Sequence, residues 1–147
     1  MPEVKKTVLI EFTPEQMFDL VDHCELYPEF LPWCAGAEVH ERTDTITEAT
    51  LLINYHGIKS KFSTRNRKQY PNEMTLQLTE GPFTRLEGNW HFKQLGDAAC
   101  KIEFYLSYQF SSKLLEKVLG PVFSHIANTF VEAFVKRAEE VYPKSAS

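Results

Sequence analysis

The chain has 147 residues, of which 43% are hydrophobic and 24% charged, with a formal net charge of −4. These values are typical of one folded domain and not of a disordered chain. The acidic balance argues against a DNA-binding protein or any general nucleic-acid binder, which would carry a basic surface. No apolar run approaches the roughly 18 residues that a membrane helix needs. The N-terminus has no apolar signal-peptide segment, and we therefore predict a cytoplasmic protein.

The three cysteines, Cys24, Cys34 and Cys100, are an odd number and contain no Cys-x-x-Cys pair. No histidine stands at a metal-ligand spacing from them. We therefore predict reduced, structural thiols, and neither a metal site nor a resident cofactor.

The N-terminal region predicts a strand followed by a helix. Apolar and polar residues alternate from Val4 to Phe12, which is typical of a strand with one apolar face. Thr13-Pro14-Glu15-Gln16 follows, with a capping hydroxyl, a proline at the first helical position and a glutamine three residues after the cap. The helix should begin at Pro14 and end before Pro28, because proline disfavours helical backbone in the residue before it.

Residues 37–110 follow a two-residue period. Apolar residues occupy alternate positions in successive runs, and turn signals such as His56-Gly57 and Gly96-Asp97 separate the runs. This pattern predicts an antiparallel meander of about six strands, each apolar on one face.

The C-terminal region changes to a three- and four-residue period, which predicts a helix over residues 113–142. Ser112 is a plausible cap. Gly120-Pro121 lies inside the pattern, and a proline there should kink the helix or split it in two. Residues 143–147 are predicted to be a disordered tail, which leaves a single domain over residues 1–142.

Together these elements predict an α+β fold in which a curved antiparallel sheet of about six to seven strands wraps the long C-terminal helix. Where the sheet and the helix diverge, they would leave an apolar cavity. Its predicted lining is Trp90, Phe92, Phe104, Phe130 and Phe134. Apolar cavities of this kind are the usual sites for small molecules.

The stretch ELYPEFLPWC, residues 25–34, is called the aromatic segment below. It concentrates bulky apolar side chains around Pro28 and Pro32, which predicts a broken helix or a loop. Tyr27, Phe30 and Trp33 could form a lid over the mouth of the cavity. They could equally be a plug that closes the end of the core, because aromatic clusters usually belong to the core.

Three motifs resemble the signatures of the coenzyme Q-binding START family: YPEFLPWC at 27–34, GPFTRLEGNWHF at 81–92 and FVEAFVKRAEEVY at 130–142. The resemblance spans nearly the whole chain. It implies the helix-grip fold and a hydrophobic tunnel that binds ubiquinone or a similar polyprenyl lipid in support of respiratory electron transport. The bacterial branch of this family is also known as ribosome-association toxins. Mitochondrial members carry a leader, whereas this chain starts almost at its first strand, which favours a bacterial cytoplasmic protein.

The residues expected to contact the ligand come from all three motifs. They are Tyr27, Phe30, Leu31, Trp33, Phe83, Leu86, Trp90, Phe130 and Phe134. No polar anchor for the quinone carbonyls is identified.

No catalytic residues are predicted. Glu87 and His91 lie four residues apart on one strand, about 13 Å at 3.3 Å per residue, and cannot exchange a proton directly. His23 stands beside Cys24, but no third group orients the histidine. We therefore expect a binding protein and not an enzyme.

A basic strand face, formed by Lys59, Lys61, Arg65 and Arg67, lies within an acid-free run from residue 57 to residue 72. It could hold the chain on an anionic membrane, which would make the protein peripheral to the inner membrane. It could also bind phosphate groups of the large ribosomal subunit, as a toxin that blocks subunit joining would. An ordinary solvated face remains the third interpretation.

Overall fold

The computed structural model describes residues 2–142. It contains seven strands: β1 Glu3–Ile10, β2 Cys34–Arg42, β3 Ile46–Tyr55, β4 Ile58–Gln69, β5 Glu73–Glu80, β6 Phe83–Leu95 and β7 Ala99–Phe110. Helix α1, Pro14–Asp22, and a short 3-10 helix, Cys24–Glu29, connect β1 to β2, and helix α2, Lys113–Val141, ends the fold.

All seven strands form one antiparallel sheet in the order β1-β7-β6-β5-β4-β3-β2. The six strands from β2 to β7 pair in chain order, as hairpins with short turns do. The first strand adds to the far side of β7, with Val4 opposite Leu106. The curved sheet and the long C-terminal helix are the predicted α+β helix-grip fold, which is confirmed.

The predicted helix starts are confirmed at the level of individual hydrogen bonds. Thr13 Oγ1 accepts from the Gln16 amide at 3.1 Å, and Gln16 Oε1 accepts from the Thr13 amide at 2.9 Å, which is a complete capping box. Ser112 Oγ accepts from the Leu115 amide at 3.1 Å at the start of α2. These caps satisfy amides that have no partner inside the helix.

Helix α2 is continuous through Pro121, so the predicted alternative of two separate helices is wrong. The helix packs along the concave face of the sheet. Its buried side chains are Leu119, Val122, Phe123, Ile126, Ala127, Val131, Phe134 and Ala138. Burial on one side outweighs the local cost of a proline in a helix. The predicted disordered tail, residues 143–147, lies outside the described residues.

Within residues 2–142, α2 is the one helix that is long and apolar enough to cross a membrane by length and composition. About 39% of its most apolar window is buried against the rest of the fold. The apolar character of α2 is accounted for by its place as the helix that the sheet wraps.

Candidate functional site: an apolar cavity between the sheet and helix α2

A narrow cavity of about 70 Å³ lies between the concave face of the sheet and helix α2. Every strand from β3 to β7 contributes at least one side chain to its wall, and α1, Cys24, the aromatic segment and α2 contribute the rest. The lining residues are Val21, Cys24, Tyr27, Trp33, Ala49, Leu51, Phe62, Thr64, Asn66, Leu76, Leu86, Trp90, Phe104, Leu106, Phe123, Ile126, Ala127 and Phe130. The wall is therefore almost wholly apolar.

Packed aromatic rings form one end of the cavity. Trp90 lies with its ring centroid 4.5 Å from that of Phe104 and 5.7 Å from that of Phe130. Trp33 approaches Phe130 at 6.1 Å, and Phe134 packs edge-on against Phe130 at 5.0 Å. Offset and edge-on contacts of this kind add to the free energy of burial.

The aromatic segment closes this end of the cavity and is also part of the core. Tyr27 is buried, its hydroxyl donates to the Val21 carbonyl at the end of α1, and its ring lies 5.2 Å from that of Phe134. Leu31 and Trp33 are at most 2% exposed. The predicted broken helix is the 3-10 helix Cys24–Glu29 with Pro28 inside it. The segment thus fills the end of the core and covers the cavity at once.

A polar network ties the start of this segment to the sheet. Lys68 Nζ lies 3.0 Å from Asp22 Oδ2, and Thr47 Oγ1 donates to Asp22 Oδ1 at 2.8 Å. Arg42 donates to both carboxylate oxygens of Glu25, at 2.7 and 2.9 Å. Two neighbouring acidic residues, one on α1 and one on the 3-10 helix, are therefore held by cations from β4 and β2.

Five of the nine predicted ligand residues line the cavity: Tyr27, Trp33, Leu86, Trp90 and Phe130. The other four are not part of its wall. That the nine residues contact a ligand stays a prediction.

Each of those four residues has a different neighbourhood. Phe134 is fully buried behind Phe130, and Leu31 is buried in the core. Phe83 packs on Phe123 at 4.8 Å. Phe30 is half-buried, and its ring centroid lies 5.2 Å from the Arg137 guanidinium.

Phe92, expected in the wall, is instead packed behind it. Its ring stacks on Trp90 at 5.7 Å and meets Phe18 of α1 at 6.0 Å. The strand alternation gave the correct face of β6 for both Trp90 and Phe92. The position of α1 decides that Phe92 faces the helix and Trp90 the cavity.

Sequence reasoning missed the polar side chains of the wall. Thr64 and Asn66 lie on the inner face of β4, in register with Phe62, and both line the cavity. The available signal was their alternation with Lys61, Arg65 and Arg67, which places the two kinds of residue on opposite faces of the strand.

Ionisable groups are scarce at the site. Among the lining residues in the described part of the chain, there is no Asp, Glu, His, Lys or Arg. Burial raises the pKa of the Cys24 thiol to about 11, so the thiol is protonated at neutral pH. Burial also raises the pKa of the Tyr27 phenol well above its ordinary value. The wall therefore presents neutral groups to a ligand.

The basic strand face is less uniform than the sequence indicates. Lys59, Lys61 and Arg67 are exposed, but Arg65 is half-buried and forms an ion pair with Glu48 of β3. Lys68, which follows in the same run, points inward to Asp22. Neighbouring elements thus supply acids to a run that has none of its own.

The structure places both histidine arrangements considered from the sequence. His23 caps the C-terminus of α1, with Nδ1 2.5 Å from the Asp19 carbonyl oxygen. His91 is at the surface, 3.9 Å from Glu73, and Glu87 is exposed on the outer face. Across residues 2–142, no group of three or more His, Cys, Asp or Glu residues is placed to hold a metal ion.

Comparison with known proteins agrees with the fold. The family model described as polyketide cyclase/dehydrase and lipid transport matches residues 10–135. The ribosome association toxin RatA of Escherichia coli K12 is 39% identical over 97% of this chain and 90% of its own length. A mitochondrial coenzyme Q-binding protein COQ10 homolog B from Xenopus laevis is 24% identical over 95% of this chain and 59% of its own length.

A START superfamily protein from Mycobacterium smegmatis has the same fold, with a TM-score of 0.74 at 21% identity over 95% of this chain and 98% of that one. The family match covers far more than half of the sequence. The resemblance inferred from the three motifs is confirmed. The chain belongs to the polyketide cyclase/dehydrase and lipid transport family, whose START-like domain it contains.

Proposed function

We propose that the protein binds a polyprenyl quinone or a similar lipid in the cavity between the sheet and α2, without catalysing a reaction on it. The observation that carries this proposal is a wall made mainly of aromatic and aliphatic side chains, with no Asp, Glu, His, Lys or Arg among its residues in the described part of the chain. The similarity to a protein named as coenzyme Q-binding supports the choice of ligand class.

The ligand must widen the cavity when it enters. Sites for drug-sized molecules usually measure about 300–1,000 Å³, whereas this cavity measures about 70 Å³. Movement of the aromatic segment away from α2 would enlarge it, because Tyr27 and Trp33 belong both to that segment and to the wall. The described conformation is then the closed form.

The hydrophobic effect is sufficient to drive such binding. Enclosing a few hundred Å² of isoprenoid surface gains several kcal/mol at about 25 cal/mol per Å². Part of that gain is offset by the ordering of the ligand and by the separation of the aromatic rings that now fill the space.

The test is mass spectrometry of organic extracts from protein purified without detergent. We expect near-stoichiometric prenyl lipid from the wild type. Ala127→Leu, which adds bulk to the wall from α2, should lose the lipid. Ala133→Leu is the matched control, because Ala133 lies on the same helix outside the wall and should retain it. An empty, well-folded wild type would contradict the proposal.

We propose association with the large ribosomal subunit as a second candidate function. It is favoured by the name of a relative that is 39% identical over nearly the whole chain. Lys59, Lys61 and Arg67 offer exposed positive charge for ribosomal phosphate, and the same charge could hold the chain at an anionic membrane.

Co-sedimentation with purified large subunits tests this second candidate. Reversing the charge of Lys59, Lys61 and Arg67 to glutamate should abolish co-sedimentation, and wild-type binding should weaken steeply with salt. A control variant reverses the same number of exposed lysines elsewhere, at Lys93, Lys113 and Lys117. Equal losses in both variants would mean that net charge, and not the basic strand face, is responsible.

A further inference from the structure

Two polar residues interrupt the apolar wall at one place. Thr64 and Asn66 are neighbours on the inner face of β4, two positions apart, and both line the cavity. Apart from Cys24 and the aromatic residues, the rest of the wall is aliphatic. A localised polar spot in an apolar pocket is the usual means of orienting a ligand.

The amide of Asn66 is only half satisfied. Its Nδ2 faces the Met74 sulfur at 3.8 Å, and a thioether is a weak acceptor. Its Oδ1 is buried and has no hydrogen-bond partner in the part of the chain that the structure describes. Buried polar side chains almost always have a partner, so an exception calls for an explanation.

The cross-strand neighbours cannot supply the missing donor. Asn66 is opposite Thr47 on β3 and Leu76 on β5. The Thr47 hydroxyl already donates to Asp22, and leucine has no polar group. Met74, the remaining contact, can only accept. The amide oxygen is thus left for a group that enters the cavity.

We propose that Asn66 is the polar anchor of the site, and that its Oδ1 accepts a hydrogen bond from a hydroxyl on the headgroup of the ligand. This inference rests on the proposed lipid-binding function and specifies its ligand as a phenol or hydroquinone on an apolar tail. A donor is required because the unpartnered atom is an acceptor. Thr64 lies beside it and completes the polar spot.

A ligand without a donor would leave the oxygen unsatisfied. A carbonyl could be bound only if the amide rotated by half a turn, which would replace the N–H···S contact by two facing acceptors. A site built to hydrogen-bond a hydroxyl discriminates against an analogue that lacks it. We expect roughly a tenfold preference, which corresponds to 1.4 kcal/mol.

The two tryptophans, Trp33 and Trp90, both line the cavity, so quenching of intrinsic fluorescence reports occupancy directly. The probes are 4-decylphenol and its methyl ether, which have the same ring and tail and differ in the donor. The wild type should bind the phenol about tenfold more tightly. Asn66→Leu should bind both probes equally, with an unchanged Kd for the ether. Thr75→Val, at an exposed position on β5 outside the cavity wall, is the control and should keep the preference.

A second measurement needs no ligand. Asn66→Leu removes a buried oxygen without a partner, so the empty variant should melt at a higher temperature than the empty wild type. A lower melting temperature would overturn the inference, because it would mean that the amide is satisfied in the empty protein. If leucine prevents folding, Asn66→Ala serves for both measurements.

The outcomes distinguish failure of the Asn66 anchor from failure of the proposed lipid binding. Equal binding of phenol and ether by the wild type, or a preference that survives in Asn66→Leu, overturns the role of Asn66 and leaves lipid binding intact. If the folded wild type binds neither probe and carries no lipid, the proposed function fails and the inference fails with it.

Discussion

Replacing Asp22 by leucine should destabilise the fold strongly, because it leaves the Lys68 ammonium buried without its carboxylate. The Lys68 side chain is only 4% exposed and that of Asp22 only 11%, with 3.0 Å between Nζ and Oδ2. The same substitution removes the acceptor of the buried Thr47 hydroxyl. The free energy lost because one carboxylate no longer packs there is small by comparison.

The magnitude follows from this burial. Removing one partner of a buried ion pair costs about 3–5 kcal/mol, because the remaining charge is desolvated and uncompensated. An exposed pair contributes about 0–1 kcal/mol. In a chain of this length, each kcal/mol lost from the free energy of unfolding lowers Tm by roughly 2–4 °C. Asp22→Leu should therefore lower Tm by roughly 10 °C.

Urea unfolding of three variants checks the reasoning. Asp22→Leu should lose about 3–5 kcal/mol. The triple variant Asp22→Leu/Thr47→Val/Lys68→Met makes all three buried polar positions apolar and leaves Arg42 paired with Glu25. It should recover to within about 1 kcal/mol of the wild type. Glu48→Gln, which breaks the more exposed pair with Arg65, should lose less than about 1 kcal/mol. If the single and triple variants are equally unstable, the buried charge is not the cause and the reasoning is refuted.

Three further experiments test other parts of the fold. Phe134→Ala empties a fully buried position beside the cavity and should cost about 3–5 kcal/mol in urea unfolding. Leu9→Ala, at a position 70% exposed, should cost less than about 0.5 kcal/mol, and similar losses for both would contradict the assigned core. Gly88→Ala would place a Cβ 2.4 Å from the Tyr105 carbonyl oxygen and should destabilise the β6–β7 pairing by about 1–3 kcal/mol; an unchanged midpoint would refute that close approach. Alkylation of Cys24 by iodoacetamide should be slow at pH 8 and rise with pH, because burial raises the pKa of its thiol to about 11 and the thiolate is the reactive form. Rapid labelling of the native protein at pH 8, measured by mass spectrometry of the Cys24 peptide, would contradict this.

The secondary structure of this protein follows from local patterns in its sequence. The capping box at Thr13, the Ser112 cap and the two-residue period of the strands each act within a few neighbouring residues. Such signals predict where elements begin and which face is apolar, and the antiparallel sheet around α2 follows from them. The Gly120-Pro121 signal is the exception, because packing against the sheet keeps α2 in one piece.

The candidate site is harder to predict from the sequence, because its wall is built from five strands, three helices and Trp33, which are distant from one another in the chain. Alternation places Trp90 and Phe92 on the same face of β6, yet α1 covers one and leaves the other at the cavity. Phe130 and Phe134 share one side of α2, but only the first reaches the wall. Small differences in how distant elements pack decide which of several apolar neighbours reaches the cavity.

The polar groups show the clearest division between sequence and tertiary structure. The sequence by itself determines that Lys68 and Asn66 lie on the inner face of β4, because side chains alternate along a strand. Only the tertiary structure brings Asp22 to within 3.0 Å of Lys68 and leaves the Asn66 oxygen without a partner. The physical reason is that strand periodicity is a local property, whereas the partner of a buried polar atom comes from whichever distant element packs against it.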